Sequence, residues 1–317
     1  MTKQNTKLIR NNINTLSNDN IHKEEITENT KNIGANQLWK KGFTGKNAVI
    51  AILDTGCDTN HSDLRENIIG GYNFTSEHGG DVSIVEDLNG HGTHVAGIIG
   101  ANKNNRGIIG IAPEAKLLIL KILNKEGTGN VKGLIDGINY AVDWVGPNRE
   151  KVNIISLSLG MKNKSEELHK AIKEAIIHDI SVVVAAGNEG DGDLDSLEYS
   201  YPAGYDEVIS VGAITRDIKV TYFSNTNEYV DLYAPGEKIK STFIKDDFVE
   251  LSGTSMAAPH VAGALALLRN KYNSITNLYP TEIELFNFLM NHVQKIRVNS
   301  THIISILDLD QTGKYCH

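Results

Sequence analysis

Short, unbroken runs of hydrophobic residues recur along the chain and are separated by polar or glycine-containing segments. Runs of this length are typical of strands that are covered on both faces, as in a parallel sheet. Five segments predict such strands: AVIAIL (48–53), KLLILKIL (116–123), VNIISLSLG (152–160), SVVVAAG (181–187) and VISVGAI (208–214).

Segments with helical periodicity lie between these predicted strands, over 92–101, 131–145 and 165–179, and a last helix is predicted from about 254 to 270. Strands that alternate with helices indicate an α/β fold: a mainly parallel central sheet with helices on both faces, in three layers. Ligands bind such sheets at the carboxyl ends of the strands. Residues 215–253 instead predict short strands and turns.

The first 34 residues have a different character, because they are polar, rich in Asn, Lys, Glu and Thr, and poor in aromatic residues. This composition predicts a loosely draped or regulatory arm. No linker is recognisable after about residue 45, so the pattern predicts an N-terminal extension over 1–34 and one domain over 35–317, including a C-terminal tail.

Charge and composition exclude several classes of protein. The formal charge is −8 and no stretch of sequence gathers lysine and arginine, so nucleic acid is not an expected partner. The sequence shows neither a signal-peptide pattern nor a segment of membrane-spanning length, so no membrane association is expected. The two cysteines, Cys57 and Cys316, suggest no disulfide framework. These features together predict a cytoplasmic protein.

Ser255 lies in GTSMAAPHVAGALALL, at the start of a helix of small residues. Its hydroxyl would be exposed there, beside the free N–H groups of the helix terminus, which favour negative charge. A serine becomes a nucleophile when a neighbouring base accepts its proton. Pro259 removes the helical hydrogen bond to the Ser255 carbonyl, an irregularity of the kind found at functional turns. A capping serine on a packed helix is the alternative.

His91 lies in NGHGTHVAG, between glycines that allow close approach of the backbone. A histidine can take up and return a proton, as acyl transfer requires twice. His94, three residues on, raises the alternative of a metal pair. A two-histidine zinc site usually has a spacing of four and an intervening glutamate, and neither is present.

Asp54 directly follows the first predicted strand, in ILDTGCD. A turn residue and one half of an aspartic-protease dyad are both alternatives, but a dyad needs a second motif or a symmetric dimer, and the chain has one copy. As the partner of His91, Asp54 would hold the imidazole in one tautomer and stabilise its charged form.

Asn188, in VVVAAGNEG, completes the candidate site. An amide side chain at a strand end is a suitable donor for the oxyanion of a tetrahedral intermediate, although a simple turn is the alternative. Taken together, the order Asp, His, Ser along the chain is the order of subtilisin and differs from the orders of chymotrypsin and the α/β-hydrolases.

Four blocks carry a resemblance to the subtilisin family of serine peptidases: DTG (54–56), HGTHVAG (91–97), AAGN (185–188) and GTSMAAPHVAG (253–263). Similarity extends from about Trp39 to Leu268. DTGCDTNHSDL, IIGG, GNEGDGD and DLYAPGE most resemble the intracellular subtilisins of Gram-positive bacteria. The resemblance implies a subtilisin-like fold and a serine endopeptidase that acts on proteins or peptides, in general turnover or in leader-peptide processing.

The resemblance also implies the substrate-binding residues. Ser158, Leu159 and Gly160 would pair with the substrate backbone as an added strand. The pocket for the residue before the scissile bond would be lined by small residues, with Glu189 at its rim, and an outer subsite by larger ones. The implied lining residues are Ala185, Ala186, Gly187 and Ser200 for the first pocket, and Val131, Leu134 and Leu159 for the outer one.

The resemblance implies calcium as the cofactor. The ligands of the implied main site are all oxygen atoms, which suits a hard cation such as calcium. Asp63 and Asn104 would supply side-chain oxygens, and Asn102, Arg106 and Ile108 would supply carbonyls. The charges of Lys103 and Arg106 would oppose a cation if they turned inward. A second, weaker site is implied near Ala203, Tyr205, Val208 and Asp231.

The intracellular branch carries an N-terminal extension that blocks the cleft until it is removed, and the resemblance also allows a homodimer. The usual Leu-Ile-Pro-Tyr element of the extension falls near Leu8 and Ile9, but Arg10 and Asn11 follow here. Without the proline, the arm is expected to be a weak or altered inhibitor. The alternative to an active enzyme is a catalytically silent protein that binds partners through the cleft.

Overall fold

The structure is a computed structural model, which describes residues 5–8, 11–15 and 23–311. The strands are β1 (Asn5–Leu8), β2 (Asn11–Thr15), β3 (Val49–Asp54), β4 (Ile68–Asn73), β5 (Lys116–Lys121), β6 (Thr128–Asn130), β7 (Ile154–Leu157), β8 (Leu159–Gly160), β9 (Ser181–Ala185), β10 (Ile209–Ile214), β11 (Val230–Pro235), β12 (Ile239–Phe243), β13 (Asp247–Ser252), β14 (Val293–Arg297) and β15 (Ile303–Leu307). The helices are α1 (Glu28–Asn32), α2 (Ala35–Lys40), α3 (His91–Gly100), α4 (Val131–Asp143), α5 (Glu166–Ile177), α6 (Thr254–Thr276) and α7 (Glu282–Met290).

The central sheet has nine strands in the order β14-β15-β11-β10-β9-β7-β3-β5-β4. All neighbours are parallel except β14 and β15, which form an antiparallel hairpin at one edge. Apolar residues fill a core on each face of this sheet, with α3 and α6 on one side and α4 and α5 on the other. The predicted three-layer α/β fold is confirmed.

The five strands predicted from hydrophobic runs all form, and the three predicted internal helices form within two residues of their expected bounds. Ser165 caps α5 through its side chain, which accepts a hydrogen bond from Leu168 N. The predicted last helix is longer than expected and ends at Thr276, and α7 with the β14–β15 hairpin follows it. These C-terminal elements were not predicted.

β4 was also not predicted, because its sequence IIGGYN contains two glycines, which are depleted in strands. Gly71 is required where it lies, since a Cβ there would come within 2.9 Å of the Ile119 carbonyl oxygen on β5. Close approach of two backbones therefore explains why the sequence pattern is weak at this strand.

The N-terminal segment is more ordered than a loosely draped arm. β1 lies between β6 and β8 and pairs antiparallel with both, and β2 pairs antiparallel with β13. Helix α1 follows, capped by the Thr27 side chain, and Ile33 is fully buried in the core. The part of the predicted arm from residue 23 onward therefore packs on the body of the protein.

No helix among the described residues is both long enough and apolar enough to cross a bilayer.

Candidate active site

Three of the predicted site residues lie at the carboxyl edge of the sheet, as expected for an α/β fold. Asp54 is the last residue of β3, Ser158 lies between β7 and β8, and Asn188 follows β9 by three residues. His91 and Ser255 approach the same edge from the N-terminal turns of α3 and α6. The parallel arrangement of the strands brings together residues that are far apart in sequence.

Asp54 and His91 are paired directly. The Nδ1 atom of His91 lies 2.8 Å from Oδ1 of Asp54, and both side chains are buried. The same carboxylate oxygen accepts a hydrogen bond from the Thr55 backbone N–H at 2.7 Å. The Nε2 atom of His91 is buried and makes no hydrogen bond with any described residue. The pair therefore presents one ring nitrogen to the carboxylate and leaves the other for a reacting group.

Ser255 and Ser158 exchange hydrogen bonds. The Ser255 hydroxyl donates to the Ser158 carbonyl at 3.0 Å, and the Ser158 hydroxyl donates to the Ser255 carbonyl at 2.9 Å. Pro259 lies four residues after Ser255 inside α6 and has no N–H to offer that carbonyl. The Ser158 hydroxyl thus replaces the helical donor that proline removes, and it ties the start of α6 to the end of β7.

Asn188 is held by Thr254. Its amide oxygen accepts hydrogen bonds from the Thr254 backbone N–H at 2.9 Å and from the Thr254 hydroxyl at 3.0 Å. The amide nitrogen is buried and makes no hydrogen bond within the described part of the chain. Because both bonds engage the oxygen, the N–H₂ group is the end that remains for a ligand, as a donor to developing negative charge requires.

Three of the predicted pocket residues, Ala185, Ala186 and Gly187, directly precede Asn188 in the chain. Ala185, Ala186 and Ser200 are buried, and Gly187 has a φ of 122°, where a side chain would be strained. A Cβ at Gly187 would also lie 2.1 Å from the amide nitrogen of Asn225.

Asn225 was not predicted as a site residue. It is fully buried, donates to the Ala186 carbonyl at 3.1 Å and to the Glu189 carboxylate at 3.0 Å, and accepts from Glu189 N at 2.7 Å. It therefore holds together the loop that carries Gly187 and Asn188. Nothing in its local sequence, FSNT, distinguishes it from a turn residue.

The outer subsite predicted from Val131, Leu134 and Leu159 lies beside β1. Leu134 and Leu159 are fully buried, and Val131 packs against the same apolar cluster. Thr6 of β1 is also fully buried and pairs with Gly129, two residues before Val131. Its hydroxyl oxygen has no hydrogen-bond partner among the described residues. Strand β1 therefore packs beside these residues with a polar group left unsatisfied.

His94 does not join His91. Its Nε2 atom lies 3.0 Å from the Ile239 carbonyl and 3.2 Å from the Val249 carbonyl. Complete burial lowers the pKa of His94 to about 3, so the ring is neutral. In the part of the chain that the structure describes, no group of three or more His, Cys, Asp or Glu side chains is placed to hold a metal ion. His94 is thus a buried core histidine that binds two backbone carbonyls.

The predicted main calcium site contains one carboxylate. Asp63 accepts hydrogen bonds from the Asn104 side-chain nitrogen at 3.0 Å and from Ile108 N at 2.9 Å, and burial raises its pKa. The Asn104 amide oxygen accepts from Arg106 N at 3.0 Å, and the Arg106 guanidinium pairs with Asp246 at 3.1 Å. These N–H donors face Asp63 and Asn104, whereas the side-chain oxygen of Asn102 is buried without a hydrogen-bond partner among the described residues and is an oxygen of the kind that calcium prefers. Calcium stays a prediction.

The second predicted ion site also contains one carboxylate, which likewise accepts from a backbone N–H. The Asp231 carboxylate accepts a hydrogen bond from Ser210 N at 2.9 Å, and burial raises its pKa to about 6. The Tyr205 carbonyl accepts from Val208 N at 3.4 Å, while Ala203 is buried in the adjacent core. This ion site also stays a prediction.

Cys57, one of the two cysteines of the sequence, is fully buried, and burial raises the pKa of its thiol well above the usual range, as in an inert core cysteine. The Tyr201–Pro202 peptide bond is cis.

The parallel sheet, the buried Asp–His pair and the serine at a helix terminus together define a hydrolase of the subtilisin type. Comparison of the sequence with known families agrees with this class, because the model of the subtilase family matches residues 45–301. The chain therefore belongs to the subtilase family and is a subtilisin-type serine peptidase.

Individual relatives cover most of the chain. It is 49% identical over 278 residues to the major intracellular serine protease of Bacillus subtilis (strain 168), a match that spans 87% of this chain and 85% of that protein. Identity is 50% over 262 residues to the intracellular serine protease of Paenibacillus polymyxa, over 83% and 78% of the two chains. Subtilisin DY of Bacillus licheniformis is 37% identical over 244 residues, 77% of this chain and 84% of that protein.

Proposed function

We propose that this protein is an endopeptidase in which Ser255, His91 and Asp54 act as nucleophile, base and orienting carboxylate. The observation that carries the proposal is the buried pair at 2.8 Å between His91 and Asp54, with the second ring nitrogen of His91 left without a partner among the described residues. A histidine oriented in this way by a carboxylate is what a serine nucleophile requires.

In the proposed reaction the Ser255 Oγ attacks the scissile carbonyl carbon while His91 Nε2 takes the hydroxyl proton. The carbonyl oxygen becomes an oxyanion, to which Asn188 Nδ2 and the Ser255 backbone N–H donate. The C–N bond then breaks, His91 returns its proton to the leaving amine, and an acyl-enzyme remains. Water attacks the ester by the same steps, with His91 again as base and then as acid.

The hydroxyl of Ser255 must turn for this reaction, because it donates to the Ser158 carbonyl in the present structure. That carbonyl lies next to β8, the edge with which β1 pairs. We infer that a substrate backbone N–H competes for the Ser158 carbonyl and releases the hydroxyl toward His91. Substrate binding would in this way prepare the nucleophile.

The pairing of β1 supports an extended peptide as the substrate. Lys7 and Leu8 pair with Gly160 and Leu159 on one side, and Thr6 pairs with Gly129 on the other. Antiparallel pairing with two strands uses backbone groups that every peptide has, so affinity comes from the main chain and selectivity from the subsites. We propose that substrates enter as the middle strand of this three-stranded arrangement.

Because β1 holds the middle-strand position proposed for the substrate, the arm would compete with the substrate for it. We propose that it is a weak or altered inhibitor, because Thr6 buries an unsatisfied hydroxyl there. A chain that begins at residue 23 tests this, since it removes both arm strands and keeps Ile33 in the core. We expect a modest gain of activity. No gain would show that the arm does not inhibit, and a gain above about a hundredfold would show that it is not weak.

We further propose that the protein acts inside the cell, because the similar proteins of Bacillus subtilis and Paenibacillus polymyxa are named intracellular serine proteases. We propose general protein turnover as its role there. A methionine at position 161 could narrow the cleft to suit one dedicated substrate, such as a leader peptide. Met161 is buried and forms a β-bridge with Tyr201, so it does not support that role. Cleavage of a peptide library at one sequence only would favour the dedicated role.

Labelling with a serine-directed fluorophosphonate tests the catalytic proposal. We expect the wild-type protein and a Ser196→Ala variant, which changes a partly exposed serine, to label equally, and Ser255→Ala not to label. Folded wild-type protein that does not label would overturn the proposal and favour a catalytically silent binding protein.

A further inference from the structure

Asp87 is a buried carboxylate that lies between the two elements carrying Asp54 and His91. It is 4% exposed and lies in the loop before α3. In the described part of the chain no lysine, arginine or histidine forms an ion pair with it. A buried carboxylate must be stabilised by a cation or by hydrogen bonds, and for Asp87 it is hydrogen bonds that do so.

Five donors surround the Asp87 carboxylate. Its Oδ1 accepts from the Thr55 hydroxyl at 2.9 Å, from Asn89 N at 2.9 Å and from Gly90 N at 2.8 Å. Its Oδ2 accepts from Thr93 N at 2.9 Å and from the Thr93 hydroxyl at 2.7 Å. Two of these donors, Gly90 N and Thr93 N, are N–H groups at the N-terminus of α3, where the helix dipole favours negative charge.

These bonds reach both halves of the Asp54–His91 pair. Thr55 directly follows Asp54 and donates its own N–H to the Asp54 carboxylate at 2.7 Å. Its hydroxyl also accepts from Gly92 N at 2.9 Å, so Thr55 bridges Asp87 and the residue after His91. Gly90 and Gly92 flank His91. Gly90 is thus bonded to Asp87 directly, and Gly92 is connected to Asp87 through the Thr55 hydroxyl.

The packing at this junction leaves little freedom. A Cβ at Gly92 would lie 2.1 Å from the Gly56 carbonyl oxygen and 3.2 Å from the Asp54 Cβ. The start of α3 therefore presses against the end of β3, and the spacing of the two depends on the hydrogen bonds between them. A displacement of about 1 Å in such a pair is enough to cost about a hundredfold in rate.

We propose that Asp87 is a positioning residue of the reaction, which fixes the distance and angle between Asp54 and His91 through Thr55 and the first turn of α3. The inference rests on the proposed function, because it assigns Asp87 to the geometry of that triad. Asp87 does not touch substrate or the reacting atoms.

Asp87→Asn is the principal test. The amide has the same shape, but its N–H₂ group must face backbone N–H donors at one of the two oxygen positions, so either the Thr93 N–H bond or the Asn89 and Gly90 N–H bonds are lost. With rates normalised to fluorophosphonate-labelled sites, we expect kcat to fall about 10- to 100-fold with KM within about threefold. Such a split is expected of a group that acts on the chemical step.

Asp81→Asn is the matched control. Asp81 lies in the same region, is exposed, and its carboxylate accepts hydrogen bonds from Ser83 N and the Ser83 hydroxyl. It contacts neither Thr55 nor α3 through its side chain, so we expect wild-type kinetics. If wild type and Asp81→Asn both fail to cleave peptides, the proposed function fails; if both cleave and Asp87→Asn matches them, only the positioning role fails.

Thr55→Val keeps the test decisive if Asp87→Asn does not fold. The variant removes only the hydroxyl that joins Asp87 to Gly92, and we expect kcat to fall about three- to tenfold with KM unchanged. In the double variant the losses should not multiply, because the two residues act through one connection. Unchanged kcat in Thr55→Val, or fully multiplicative losses, would overturn the inference.

Discussion

The hydroxyl of Ser158 donates to the carbonyl of Ser255, and the hydroxyl of Ser255 donates to the carbonyl of Ser158, at 2.9 and 3.0 Å. The first of these bonds exists because Pro259 leaves the Ser255 carbonyl without its helical donor. The Ser255 carbonyl, which Pro259 leaves without a helical donor, is thus satisfied by Ser158, a residue of the segment with which the substrate is expected to pair.

A double-mutant cycle tests this relationship. Ser158→Ala removes the Ser158 hydroxyl donor from the buried Ser255 carbonyl, which we expect to cost about 1–3 kcal/mol of unfolding free energy. In a Pro259→Ala background the helix again has an N–H for that carbonyl, so the same change should cost less. Equal costs in both backgrounds, measured by urea denaturation, would contradict the connection.

The orientation of Asn188 predicts a specific effect on rate. Asn188→Ala removes the amide nitrogen that is left for a ligand, and we expect kcat to fall about 10²- to 10³-fold with little change in KM, a range that comes from subtilisin itself. Thr254 holds the amide oxygen, so Asn188→Asp would keep those bonds but offer no N–H donor. Steady-state kinetics should show a similar loss for both variants, and a milder loss for the aspartate would argue against an oxyanion role.

The unsatisfied hydroxyl of Thr6 predicts how the arm can be strengthened. Thr6→Val has the same shape and removes the polar group, so we expect the arm to bind its side of the cleft more tightly by about 1–2 kcal/mol. Peptidase activity of the full chain should then fall about five- to thirtyfold. The chain beginning at residue 23 lacks this position and sets the uninhibited rate, and activity that rises in Thr6→Val would refute the argument.

Lys121 and Glu77 form an ion pair close to Asp54. The Lys121 side chain is fully buried and that of Glu77 is 14% exposed, and the ammonium group lies 2.8 Å from the Glu77 carboxylate and 2.5 Å from the Thr55 carbonyl. Lys121→Met leaves the Glu77 carboxylate with the Lys125 backbone N–H but without a cation, which we expect to destabilise the fold by about 3–5 kcal/mol.

Adding Glu77→Gln to this variant should recover part of the loss, because the uncompensated charge is then gone. Lys132→Ala is the control, since Lys132 pairs with Asp136 on the surface and is 80% exposed. Chemical denaturation should show less than about 1 kcal/mol for it. Similar costs for Lys121→Met and Lys132→Ala would contradict the buried pairing.

Buried histidines predict a loss of stability in acid. Burial lowers the pKa of His260 to about 4, below the value of about 6.5 expected in the unfolded chain. The unfolded state therefore binds the proton first, and the stability that His260 contributes above pH 6.5 is lost as the pH falls toward 4. The slope for one such group approaches about 1.4 kcal/mol per pH unit.

His260→Gln should reduce this slope by close to one proton between pH 6 and 4.5, measured by urea denaturation at each pH. His178→Gln provides the comparison, because the His178 side chain is half exposed. An undiminished slope in His260→Gln would show that other groups cause the acid sensitivity.

The amino-acid sequence alone was sufficient for the class of fold and for the chemical candidates. Buried strands need continuous apolar runs, and helices between them need an apolar face, so the hydrophobic pattern is enough to locate the five strands and three internal helices. Asp54, His91, Asn188 and Ser255 stood out because their residue types and order match a known chemistry. The strand β4 and the C-terminal elements lacked such a signal.

Only the tertiary structure showed what holds these residues in place. Asp87, Thr55, Thr254 and Asn225 act through hydrogen bonds between segments that are distant in the chain, and no local pattern encodes such contacts. Sequence periodicity reports which face of an element is buried, whereas the partner of each buried polar group is decided when the elements pack together.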